Sequence, residues 1–138
     1  MVHALLDRER IDEPPASYIH RVGEVFATFA RDTQDSGNVS YGVRIGHERY
    51  FVKTTGDPDD PESYLRHADR GALLRNAARL ADSVRHPSLP RLYQTVESDG
   101  HGPMLVYAWV QGELLGGPRS GARCLLPAGW QRRCAPGW

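Results

Sequence analysis

Residues 39–53 constrain the chain more than any other stretch. Val39, Tyr41, Val43 and Ile45 alternate with Ser40, Gly42 and Arg44, the period of two that marks a half-buried strand. Gly46-His47 reads as a tight turn, and Arg49-Tyr50-Phe51-Val52-Lys53 reads as the return strand because it is aromatic and β-branched. Alternation puts Phe51 and Lys53 on one face and Tyr50 and Val52 on the other. The hairpin ends on the only lysine in a chain with 17 basic residues; every other one is an arginine. Arginine presents a wide planar fork, whereas lysine is a compact point charge on a flexible stem. A phosphate held in a narrow cleft suits the lysine. The simpler reading of this stretch alone is a β-hairpin with a lysine at its exposed end.

At 138 residues the chain holds one small core. Lys+Arg and Asp+Glu both total 17, so the zero net charge gives no electrostatic case for nucleic acid or an anionic membrane surface as partner. No apolar run is long enough to span a bilayer. Residues 1–12 are charged throughout and have no apolar centre, unlike a secretory signal. Cys124 and Cys134 lie in a Gly/Pro/Arg-rich tail and match neither a disulfide framework nor a zinc spacing. A cytoplasmic location is the expectation.

The opening residues 1–16 are polar, end in Glu13-Pro14-Pro15, and read as a mobile arm. Between residues 17 and 30, Tyr18, Val22, Val25, Phe26 and Phe29 fall at helical spacing, though Val25-Phe26-Ala27-Thr28-Phe29 reads equally as a strand. Asp32, Gln34, Asp35, Ser36, Gly37 and Asn38 form a loop of turn residues. Such a loop either turns in solvent or brings backbone N–H groups against a phosphate. Asp60-Pro61-Glu62 reads as a helix start. Leu65, Ala68, Ala72, Leu73, Ala77, Leu80 and Val84 then form the apolar stripe of an amphipathic helix, with Arg66, Arg70, Arg75, Arg79 and Asp82 on the solvated face. Asn76 lies on or beside the stripe. His86-Pro87 stops the helix. Residues 91–96 and 103–110 read as strands, the second the most apolar run and central. Residues 116–138 show neither period and are expected to be disordered.

The expected class is therefore α+β: a small antiparallel sheet with one main helix, spanning residues 17–115. The order and the residues resemble the N-terminal, ATP-binding lobe of protein-kinase-like proteins, most closely bacterial serine/threonine kinases. Four pieces carry the resemblance. Gly37-Asn38-Val39 is similar to the last Gly-x-Val of the glycine-rich loop. Phe51-Val52-Lys53 is similar to the strand bearing the phosphate-binding lysine. Val84-Arg85-His86-Pro87-Ser88-Leu89 is similar to the end of the regulatory helix and the loop after it. Leu105-Val106-Tyr107-Ala108-Trp109-Val110-Gln111-Gly112 is similar to the last strand and the hinge. The resemblance implies that Lys53 holds the α and β phosphates of ATP and that the loop through Gly37, Asn38 and Val39 covers them. It also implies that backbone groups near Ala108 and Val110 bond the adenine, with Tyr107 at the back of the pocket. Magnesium is expected for the family, with no ligand for it visible in this sequence.

The departures from the family pattern are as informative. Asp32 and Gln34 stand near where the first two loop glycines belong, and Phe51 replaces a small residue that admits adenine. No acid lies at the helix turn that should pair with Lys53; Asn76 is the best-placed polar residue. The sequence holds neither a His-Arg-Asp catalytic loop nor an Asp-Phe-Gly metal motif. The expectation is an inactive nucleotide-binding lobe, a truncated or frame-shifted copy of a longer kinase, whose exposed face near residues 105–115 takes a protein partner. Two alternatives stand beside it. Residues 36–43 also resemble the first hairpin of aminoglycoside and choline phosphotransferases, and the same lobe could be a non-catalytic interaction module.

Overall fold

The computed structural model describes residues 4–30 and 36–112. In chain order its elements are α1 (Ala4–Asp7), β1 (Arg10–Ile11), α2 (Pro15–Val22), β2 (Glu24–Phe29), β3 (Val39–Ile45), β4 (Glu48–Thr54), α3 (His67–Ser83), β5 (Leu92–Ser98) and β6 (Gly102–Ala108). The strands form one six-stranded sheet in the order β1-β5-β6-β4-β3-β2. All neighbours are antiparallel except β1 and β5. This is the α+β class expected, built on a largely antiparallel sheet.

The hairpin of β3 and β4 follows from its alternation. Tyr41 stands opposite Val52 and Val43 opposite Tyr50, and these residues are buried together with Val96, Met104 and Val106. One face of the sheet thus carries the main core. Its cover comes from the N-terminal segment: Leu5 and Ile19 are fully buried, and Tyr18 and Ile11 nearly so. The polar character of residues 1–16 suggested an arm, but its few apolar side chains are those the core takes. The open choice over residues 17–30 resolves at Gly23. The helix α2 ends there, and the chain continues as β2, an edge strand with a register shift between Val25 and Ala27.

The helix starts later than the sequence suggested. The Asp60 carboxylate accepts the Glu62 N–H, and the Ser63 hydroxyl donates to the Asp60 and Leu65 carbonyls. These local bonds turn the chain rather than cap a helix. The helix α3 begins at His67 and packs on β6 and β5. It buries Leu74 and leaves Leu73, Leu80 and Val84 exposed. Arg70, expected on the solvated face, is fully buried. The reason is a set of carbonyls: its guanidinium donates to Gly37 O at 2.7 Å, Thr55 O at 2.5 Å and Asp57 O at 3.0 Å. Among the described residues no helix is long and apolar enough to cross a membrane.

Candidate functional site

The second face of the sheet carries Lys53. On β4 it stands opposite Ser40 of β3 and Leu105 of β6, which are 2% and 0% exposed, and it is itself half-buried. The four-carbon stem can lie along this apolar ground while the ammonium reaches its edge. Among the described residues no carboxylate or hydrogen-bond acceptor holds that ammonium. The ion pairs of the surface are made by arginines: Arg10 with Asp99, Arg44 with Glu24, Arg75 with Glu97. Among the described residues Lys53 is thus a cation with no counter-ion.

Tyr107 shares this face, opposite Phe51. Burial pushes its phenol above the ordinary tyrosine value, because the charged form is the one desolvation penalises. Gly37 and Asn38 lie at the start of β3, but their groups turn inward: the Gly37 carbonyl accepts from Arg70 and the Asn38 N–H donates to the Ser36 hydroxyl. Gly37 takes φ 91°, and a Cβ there would meet Ser63 Cβ at 2.5 Å. The rest of the loop, Asp32 to Asp35, lies outside the described residues, as do residues 113–138 with Cys124 and Cys134.

Other expected site residues stand apart from Lys53. Val39 pairs with Thr54, one position out of phase with Lys53, and packs against the main core on the opposite face. Asn76 is exposed on α3 and its side-chain carbonyl accepts from Arg79 at 3.2 Å, so it does not take the part of a partner to Lys53. The Ala108 N–H donates to Arg91 O at 2.8 Å, and Val110 is 63% exposed beyond the strand. The structure brings together Lys53 and Tyr107, with Gly37 and Asn38 at the near end of β3, and separates them from Val39 and Asn76.

An aromatic layer is the feature the sequence did not announce. The Trp109 ring meets Phe26 edge-on at 4.8 Å and lies 6.3 Å from Phe51 and 6.5 Å from Phe29. Gly42 makes room for it: a Cβ there would fall 2.8 Å from the Phe26 ring and 2.9 Å from the Trp109 ring. The signal was present as a glycine among the polar positions of β3 and a tryptophan just past β6. Joining them required knowing that the register shift in β2 brings Phe26 over Gly42.

A cavity of about 420 Å³ lies elsewhere, between the start of α3, the β5–β6 turn and Arg10. Its arginines are paired with Asp99 and Glu97, and the His67 Nε2 sits 3.0 Å from both Thr55 Oγ1 and His101 O. Lys53 is not part of it. Among the described residues no group of three His, Cys, Asp or Glu side chains gathers to hold a metal ion.

Comparison with known proteins finds no family model that matches the chain. A search of curated proteins finds no match to it either.

Proposed function

We propose that the chain is a nucleotide-binding lobe of the protein-kinase-like kind, in which Lys53 receives the phosphates. The observation that carries this reading is Lys53, a half-buried residue on an inner strand whose ammonium is unpaired among the described residues. A phosphate is the anion such a group suits, since a compact cation can approach it from within a cleft. From β2 onward the order of elements supports the resemblance: two strands, a third strand bearing the lysine, a helix, and two more strands; α1, β1 and α2 precede them. The phosphate end of ATP fits the residues present. The base end does not fit them as they stand, because the aromatic layer lies on the same face. Lys53 binds and orients the phosphate chain. The sequence holds neither the His-Arg-Asp nor the Asp-Phe-Gly motif that in the family accepts a substrate proton and holds magnesium, so the proposal is nucleotide binding.

Calorimetry with ATP, with and without magnesium, on the wild type and on Lys53→Ala tests this. A charge-assisted contact is worth about 1.5–3 kcal/mol, so the variant should bind roughly ten- to a hundred-fold more weakly. Equal binding by both proteins would remove Lys53 from the site. A second reading, a non-catalytic module that docks a protein, is favoured by the exposed Leu73, Leu80 and Val84 along α3. It predicts no ATP binding and loss of the docked partner on Leu80→Glu.

A further inference from the structure

The surface next to Lys53 is covered by an indole, and the cover is lightly held. Phe51 precedes Lys53 by two residues on β4, so both face the same way. A ligand whose anionic end reaches Lys53 and that extends along β4 on this face lays its next part along Phe51 and Gly42, and that is where Trp109 lies. We infer that Trp109 is a built-in plug that occupies the base-binding surface, and that a nucleotide binds fully only when the indole swings away. The inference rests on the nucleotide reading above and concerns regulation of the same site.

Three observations argue that the plug can move. Trp109 follows the last residue of β6 and so is not fixed within the sheet ladder. Its Nε1–H donates to the Gln111 side chain at 3.3 Å, and that same oxygen accepts from Arg49 at 3.4 Å, so both bonds are long. The packing is also open, because Phe26 remains 41% exposed and Trp109 itself is only half-buried. The ring is thus held by contact with Phe26, Phe29 and Phe51, and a flat aromatic base can replace those contacts when the indole leaves. A site that must first be uncovered binds with an apparent affinity reduced by the fraction uncovered.

The test uses the full chain with Trp130→Phe and Trp138→Phe, so that Trp109 is the only tryptophan. Acrylamide quenching of its fluorescence is followed as ATP is added. Displacement of a fluorescent ATP analogue is measured for the same protein, for Trp109→Ala and for Lys53→Ala. The plug predicts that saturating ATP raises the quenching constant about twofold or more, and that Trp109→Ala binds ATP at least about fivefold more tightly. ATP binding that leaves quenching unchanged, or a Trp109→Ala variant that folds and binds equally or more weakly, overturns the plug. The nucleotide reading then stands on the loss seen with Lys53→Ala. Absence of ATP binding in both the single-tryptophan protein and Trp109→Ala overturns that reading and the plug with it. Should Trp109→Ala fail to fold, the quenching measurement decides alone.

Discussion

Arg70 is the residue on which three segments converge. Its guanidinium is fully buried and donates to carbonyls before β3 (Gly37) and after β4 (Thr55 and Asp57), while its Nε has no partner among the described residues. Among the described residues no carboxylate neutralises it. A buried cation costs several kcal/mol in desolvation, and here only carbonyl dipoles offset that cost. Removing the guanidinium leaves the buried Thr55 carbonyl without its donor and unties the part-buried Gly37 and Asp57 carbonyls, so Arg70→Met should lower stability by about 3 kcal/mol in urea unfolding. A loss below about 1 kcal/mol would mean the carbonyls find other donors. Gly56 belongs to the same knot. It takes φ 74°, and a Cβ would fall 2.1 Å from Gly37 O. Gly56→Ala combines a left-handed backbone with a clash against main chain, and should cost about 2 kcal/mol or more on the same assay. None of this was legible beforehand. An arginine at a helical surface position usually meets solvent, and what buries this one lies 33 residues away at Gly37.

The helix α3 shows a division that its sequence pattern concealed. Its apolar positions recur every three or four residues, yet only the first half meets the sheet: Leu74 is 2% exposed, whereas Leu80 is 59% exposed. Periodicity reports that a stripe exists and cannot report how far the partner surface extends. Two substitutions separate the halves. Leu74→Ala should cost about 2–4 kcal/mol by loss of burial plus the cavity left behind, and Leu80→Gln should change stability by less than about 0.5 kcal/mol. Similar losses at both positions in urea unfolding would place the whole helix against the sheet. The hairpin of β3 and β4, by contrast, was readable almost to the residue. Its alternation, its Gly46 turn and its apolar return strand all point to one register. The aromatic layer escaped because it depends on an irregularity in β2, and a register shift leaves no mark in a pattern of alternation.

At the scale of the whole fold, the described residues form one sheet with two unlike faces. The first is closed by α1 and α2 around Tyr18, Tyr41 and Tyr50; the second carries Lys53, Tyr107 and the aromatic layer. Burial raises the phenols of Tyr18, Tyr41, Tyr50 and Tyr107 above their ordinary value. Above about pH 10 the unfolded chain releases protons that the folded protein keeps. The contribution of these tyrosines is therefore complete below about pH 10 and is lost as pH rises through the raised folded-state values. The urea midpoint should hold steady from about pH 8 to 9 and fall by pH 11, with a shallower fall in Tyr41→Phe. A midpoint unchanged at pH 11 would show that these phenols ionise in the folded state as they do in water.

Nucleotide binding by this chain, as proposed, depends on Lys53 meeting phosphate. The most direct test compares ATP with adenosine on the wild type and on Lys53→Ala, by titration calorimetry at fixed ionic strength. If Lys53 meets the phosphates as proposed, the substitution weakens ATP binding roughly ten-fold or more and leaves adenosine binding unchanged, because adenosine carries no phosphate for the ammonium. Equal weakening for both ligands, or ATP binding indifferent to Lys53, would contradict it.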